Sequence, residues 1–226
     1  MAKLLSYNDI KVTIVRHTKN PGALCKTACD MTMQTAPIVN NEIDIDPKLL
    51  KFIVTAEHTS VLEHCSITMF VQGVSRSLLA QLSRHRHASL TSQSQHYQLY
   101  SNAPMVVSEG MVGTEESFDE VLDMYNNLID NNVPREEARQ ILPNAAAVNL
   151  LWTVNARGLI SFLRPRLCWR NVEEMVVFAT KVRHIALSWW PELFKHIGPP
   201  CMLGKCNQGI MAKGCPYLEG GYNGAK

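Results

Sequence analysis

Apolar positions along this chain recur with two different periods, and the switches between them mark the elements it is expected to form. Lys11-Val12-Thr13-Ile14-Val15 and Ser66-Ile67-Thr68-Met69-Phe70-Val71-Gln72 are rich in β-branched and aromatic residues and predict strands. Val74, Leu78, Leu79 and Leu82 fall on one face at three-to-four spacing, which predicts a helix from Val74 to Leu82 fed by the second strand. Asp46-Pro47 offers an N-cap acceptor before a proline at the first helical position, so a helix should run on through Leu49, Leu50, Phe52 and Ile53. Gly22 to Cys29 reads as a short helix, Glu115 to Ile129 and Pro134 to Leu142 as two more, and Asn149 to Val154 as a strand. Val172, Met175, Val176, Ala179, Val182, Ile185, Ala186 and Trp189 form one continuous helical stripe, read as core or subunit interface. Only Ser101 to Gly113 and the tail after Pro199 look like linkers, and no repeat is present.

One stretch breaks this regular patterning. Gln81, Arg84-His85-Arg86, Ser89, Ser92-Gln93-Ser94-Gln95 and His96 follow one another with almost no apolar filler. Planar guanidinium forks suit phosphate or pyrophosphate, and short hydroxyls and amides suit sugar and base, so the implied ligand is a nucleotide or nucleotide cofactor. A basic run is more often a solvated face. Here the cluster closes a predicted buried helix, and arginines held there cannot all point into bulk water.

Composition narrows the class. The 226 residues, 46% hydrophobic, suffice for one good core. We expect one domain over residues 1–200, with 201–226 as a Cys/Gly-rich tail. No apolar run reaches membrane-span length and Met1-Ala2-Lys3-Leu4 lacks a secretory core, so a cytoplasmic protein without a membrane partner is expected. With 22 basic against 20 acidic residues the formal charge is +2, which supplies no global field for nucleic acid. Seven cysteines stand at 25, 29, 65, 168, 201, 206 and 215. Gaps of four and eight residues between the last three differ from those of a zinc knuckle, so no metal is expected and the tail should be loosely ordered.

Arg84-His85-Arg86, seven residues, then Ser94 and Tyr97 resembles the RHR-x7-S signature of the flavin-dependent thymidylate synthases. Other segments extend the resemblance from about Ser60 to Glu174. His58-Thr59-Ser60-Val61-Leu62-Glu63-His64 is similar to the family's flavin-side segment, and Val133 to Pro143 to its substrate-arginine segment. Trp152-Thr153-Val154-Asn155-Ala156-Arg157 and Phe162-Leu163-Arg164-Pro165-Arg166 follow in family order.

The resemblance implies an α+β fold with a central antiparallel sheet flanked by helices. It implies reductive methylation of dUMP to dTMP, with 5,10-methylenetetrahydrofolate as one-carbon donor and NADPH-reduced FAD as hydride source. Residue by residue, it makes Arg166 the catalytic arginine, stabilising negative charge on the pyrimidine. Gln81, Arg84, Ser92, Gln93, Ser94, Gln95, His96, Arg139 and Arg166 would contact the nucleotide. Ser60, Arg84, His85, Arg86, Ser92, Asn155, Arg157 and Ser161 would hold FAD. No glycine-rich GxGxxG follows a strand, so these donors replace a Rossmann crevice. The family's homotetramers with sites between subunits are the implied assembly.

Each carried position also has a plainer role open to it. Asn155 could be an N-cap, Arg157 a surface residue, Arg139 an ion-pair partner of Glu136 or Glu137, and Arg166 a cation at a helix C-terminus. Cys168, flanked by Leu167 and Trp169, reads as a buried structural thiol rather than a nucleophile. His96 and Ser92 stand where many family members carry arginine and glutamate, and both fall on the substrate loop. C5 methylation or hydroxymethylation of UMP or dCMP is therefore an open alternative, and a nucleic-acid module using Arg84, Arg86 and His87 a remote one.

Overall fold

In chain order the helices and strands are β1 (Leu4–Ser6), β2 (Lys11–His17), α1 (Pro21–Met33), α2 (Pro47–Thr55), β3 (Ser66–Ser75), α3 (Arg76–Leu82), β4 (Ala88–Ser92) and β5 (Met105–Val107). They continue with α4 (Glu115–Asp130), α5 (Arg135–Ala138), β6 (Ala147–Asn155), α6 (Ala156–Arg166), α7 (Glu173–Trp189) and α8 (Pro191–Phe194). The computed structural model describes residues 1–33, 42–203, 206 and 208–217.

Four strands form a sheet in the order β2-β3-β6-β4, and β1 pairs in parallel with β5. The β3–β6 pairing is antiparallel. Thr68 Oγ1 meets Thr153 Oγ1 at 2.9 Å, while further along β3 the Gly73 N–H donates to Asn149 Oδ1 at 3.1 Å, so one strand ascends as the other descends. Burial alternates along β6, with Val148, Leu150, Trp152 and Val154 all 3% exposed or less, as a strand with one packed face requires. The helices flank this sheet, giving the mixed α+β architecture.

Local chemistry places the element boundaries. Asp46 caps α2 by accepting from the Lys48 N–H at 2.7 Å, as its sequence predicts. The helix expected from Val74 instead starts at Arg76, because β3 runs to Ser75 and the Ser75 hydroxyl caps α3 through the Leu78 N–H at 2.9 Å. The helix expected over Pro134–Leu142 is one α turn, α5, followed by a 3-10 turn over Arg139–Ile141. β4 was not expected at all.

Chain contacts divide the molecule into two compact units. The first comprises Met1–Val12, Phe70–Arg86 and Leu90–Trp152; the second comprises Thr13–Met69, His87–Ser89 and residues 153 onward. In the first unit, Met105 and Val107 of β5 pack with Phe118 and Leu122 of α4 and with Ala2 and Ala146. The stretch expected to be a linker is thus core. Tyr100 and Ala103 pack on Tyr125 and Ala138, and the Tyr100 N–H donates to Tyr125 Oη at 3.3 Å. In the second unit α6 packs on α7 and α7 on α8, with the Phe162 and Phe178 rings edge to face at 5.8 Å. The stripe predicted in α7 is buried at Met175, Ala179, Val182, Ala186 and Trp189.

Among the described residues no helix is long and apolar enough to cross a membrane. The tail forms 3-10 turns at Pro200–Leu203 and Gly209–Ala212, with Ala212 buried. Residues 204, 205, 207 and those beyond 217 lie outside the described residues.

Candidate functional site

The first unit holds the cluster that the sequence singles out, apart from Ser89. α3 ends at Leu82, but the backbone keeps winding: the Arg84 N–H donates to Gln81 O at 3.3 Å and the His85 N–H to Leu82 O at 3.0 Å. Gln81 and His85 are half-buried in this overwound end, whereas Arg84 and Arg86 stand exposed, and neither is in an ion pair among the described residues. Two guanidinium groups beside a buried helix, with no internal carboxylate, form a place for an anion.

The loop after β4 is held by its own polar groups. Ser92 ends the strand, and the Gln93 N–H donates to Asn149 O at 3.0 Å while Gln93 Oε1 accepts from the Asn149 N–H at 2.9 Å. Gln93 therefore spends its carbonyl oxygen extending the sheet. Ser94 Oγ accepts from the His96 N–H at 3.2 Å, and Ser94 O accepts from the Gln98 N–H at 3.0 Å, which rolls the loop into a turn that buries Gln95. A cavity of about 800 Å³ borders Gln93 and is lined also by Lys3, Lys11, Gln72 and Asn149.

Glu136 ties this loop to α5. Its carboxylate meets His96 Nδ1 at 2.7 Å, its carbonyl accepts from Arg139 Nε at 3.1 Å, and next to it Arg135 donates to Tyr97 O at 2.9 Å. His96 and Arg139, 43 positions apart in the chain (139 − 96), thus meet at one residue. The Arg139 carboxylate pair weighed from sequence is not what forms: the glutamate's backbone holds the arginine and its carboxylate holds the histidine.

The second unit builds a separate set on the β6–α6 junction. β6 ends at Asn155 and α6 starts at Ala156 with no spacer; the Asn155 side chain caps the helix through the Gly158 N–H at 2.8 Å. A Cβ on Gly158 would lie 2.9 Å from Val154 Cγ2 and 3.2 Å from His87 O, so this first turn sits against the backbone just after the Arg-His-Arg run. Arg157 and Ser161 are both exposed and, four apart, share a helix face. Arg157 is ion-paired to Glu63, on the 3-10 turn Thr59–His64. In a 3-10 turn positions three apart eclipse, so Ser60 shares a face with Glu63. Ser60, Asn155, Arg157 and Ser161 are accordingly brought to one edge of the second unit, and Glu63, absent from the sequence-based assignment, is the residue that joins them.

Arg166 closes the other end of α6, roughly 13 Å along the axis from Arg157 at 1.5 Å per residue. It is half-buried, and its Nη1 donates to Asn171 Oδ1 at 3.1 Å. Asn171 is fixed in turn, donating from Nδ2 to Pro165 O at 2.7 Å and to Cys168 O at 3.0 Å. Asn171 was also missed; five residues past the arginine, in a loop, it leaves no periodic signal. Cys168 is half-buried on this loop, not fully buried as expected, because Trp169 beside it is 44% exposed and leaves the loop open on that side.

Comparison with known proteins adds an independent line. The family model described as thymidylate synthase complementing protein matches residues 13–192. A flavin-dependent thymidylate synthase of Geobacter sulfurreducens is 34% identical over 219 residues, covering 91% of this chain and 94% of that one. One from Clostridium tetani is 29% identical, covering 91% and 93%. Among solved structures, the enzyme of Helicobacter pylori complexed with FAD and dUMP superposes with a TM-score of 0.72 at 22% identity, covering 83% of this chain and 99% of that one. A UMP/dUMP methylase of Streptomyces cacaoi bound with 5-Br dUMP gives a TM-score of 0.71, also at 22% identity, covering 85% and 95%. At such identities these two likenesses speak for the fold.

Proposed function

Because the chain belongs to the flavin-dependent thymidylate synthase family, we propose that it converts dUMP to dTMP with 5,10-methylenetetrahydrofolate as carbon donor and NADPH as reductant. The observation that carries this reading is the pair Arg84 and Arg86, exposed at the overwound end of α3 and without a carboxylate partner among the described residues. Such a donor set suits the phosphates of FAD and of a nucleotide. No GxGxxG motif follows a strand to take over the task. Ser60, Asn155, Arg157 and Ser161 supply hydroxyl, amide and guanidinium donors of the kind a dinucleotide needs.

Bound flavin, once reduced, supplies the hydride that turns the transferred carbon into a methyl group. The protein's own part is electrostatic. As C5 of the pyrimidine attacks the one-carbon unit, negative charge gathers over N3, C4 and O4, and Arg166 is the group assigned to meet it. Asn171 holds that guanidinium in place, which lowers the reorganisation needed when the charge appears. Gln81, Arg84, Ser92, Ser94, Gln95, His96 and Arg139 bind and orient the nucleotide, with Gln93 shaping the loop from behind. His85 and Arg86 complete the cofactor's share.

We further propose residues 1–200 as the catalytic body of a cytoplasmic homotetramer, with sites assembled between subunits. The decisive experiment mixes purified protein with FAD, NADPH, methylenetetrahydrofolate and 5-tritiated dUMP. Tritium release and dTMP formation are expected; release from UMP or dCMP in their place would reassign the substrate, and absence of flavin binding would overturn the reading. Mixed tetramers of Arg84→Ala and Arg166→Ala subunits should regain part of the activity that each lacks alone. No recovery in verified mixed tetramers would mean that each site is self-contained.

A further inference from the structure

Four of the seven cysteines, which the reaction does not use, come from two distant stretches of chain. Cys168 lies in the α6–α7 loop, and Cys201, Cys206 and Cys215 lie in the tail. Cys168, Cys201 and Cys206 line one cavity of about 410 Å³, together with Pro165, Arg170, Asn171, Pro200 and Gln208. All four thiols are half-buried and none is in a disulfide. Cys215 follows Gly214, which lies against Trp169, the residue next to Cys168.

The tail is docked on the loop by further contacts. Arg170 Nη1 donates to Gln208 Oε1 at 2.8 Å. Gly214, at φ +83°, lies against Trp169, whose Cη2 would be 3.8 Å from a Cβ there. The Cys215 N–H donates to Ala212 O at 2.9 Å, so the last cysteine closes the turn that carries the buried Ala212.

We propose that Cys168, Cys201, Cys206 and Cys215 form a structural site for a soft divalent metal, zinc in the first instance, that fastens the tail to the α6–α7 loop. The tail alone offers three thiols at unfamiliar spacing; the fold contributes the fourth from Cys168. Four thiols are the complement that closes a tetrahedral zinc site and leaves no open position for catalysis. Among the described residues no three candidate ligands stand in ligating arrangement, so binding has to draw the sulfurs inward across the cavity that three of them line. Four S–H protons pass to solvent as four Zn–S bonds form, and no oxidation state changes. Arg170, on the same cavity wall, offsets the net negative charge of a tetrathiolate centre.

The test is metal content of the full chain, purified from zinc-supplemented culture. About one zinc per chain is expected, falling below about a tenth in Cys168→Ser and in Cys206→Ser, with Cys29→Ser unchanged as control. Cobalt in place of zinc should give sulfur-to-metal charge-transfer absorption in the unmodified protein and none in those two variants. Should a serine variant fail to fold, stepwise mercurial titration of the unmodified protein decides, with released zinc read by a chromogenic chelator. One zinc freed as four sulfurs react supports the site. Protein that binds neither zinc nor cobalt, or zinc that survives both serine substitutions, overturns it.

Discussion

Arg84 and Arg166 are both assigned to the reaction, yet their surroundings are opposite. Arg166 is gripped by Asn171, and Arg157 and Arg164 of the same helix donate to Glu63 and to Val54 O. Arg84 and Arg86, in the other unit, are exposed and form no ion pair among the described residues. A cation with an internal partner is oriented before any ligand arrives. One without a partner gains its first strong bond from the ligand itself. The second unit thus presents Arg166 as fixed charge, and the first presents Arg84 and Arg86 as ligand-seeking charge.

The sharpest way to break this contrast is Arg166→Ala. Loss of one preorganised charge-stabilising donor should lower kcat about 10²- to 10³-fold while the bound flavin spectrum survives, measured by tritium release and absorbance. An unchanged kcat would remove Arg166 from the chemistry. Next in size is Arg84→Ala. A charge-assisted bond of about 1.5–3 kcal/mol predicts an affinity loss for dUMP of about 10- to 100-fold by titration calorimetry. Were kcat alone to fall, Arg84 would belong with the fixed charges.

Asn171→Ala separates holding from reacting. With its partner gone but Arg166 present, kcat should drop about tenfold while dUMP affinity stays within about twofold, consistent with a lost neutral-to-charged hydrogen bond. Glu63→Gln should do least among the substitutions. Its pair with Arg157 is about half exposed on both sides, and such pairs contribute about 0.2–1 kcal/mol, so FAD affinity should shift less than about fivefold.

Smallest is a pH effect on stability. Burial, with Lys195 and Lys51 adding to it, lowers the His196 pKa below its ordinary value. The unfolded chain then takes up the proton first, so this contribution is present above about pH 6.5 and declines as pH falls through that value toward the depressed one. Denaturant midpoints should show a small decline on acidification that His196→Gln removes.

Legibility from sequence followed the physics of each region. α2, α4, α7 and β6 were readable because apolar periodicity and caps act over a few neighbouring residues: Asp46-Pro47 and the Met175–Trp189 stripe are local statements. β5 was mistaken for linker because three residues are too few to show alternation, and its burial arises from β1 and α4, distant in sequence. Ser75 was absorbed into a helix because a serine after a strand-like run carries no mark distinguishing strand end from cap. Family order located the arginines, but which partners hold them was invisible. Glu63 and Asn171 become recognisable only when a turn, a helix end and a loop are set side by side, and Glu136, legible as a neighbour of Arg139, holds it by its carbonyl and not its carboxylate.

The direct abutment of β6 on α6 has a final consequence for how this chain can vary. Nothing between Asn155 and Ala156 can absorb a change in length. Inserting or deleting one residue at the start of α6, ahead of Arg157, would rotate every later α6 side chain by about 100° about the helix axis and carry Arg157, Ser161 and Arg166 away together. Point changes can be borne singly along this segment, but length changes cannot, so descendants of this sequence should hold the count of residues from Trp152 to Arg166 constant even where the residues themselves drift.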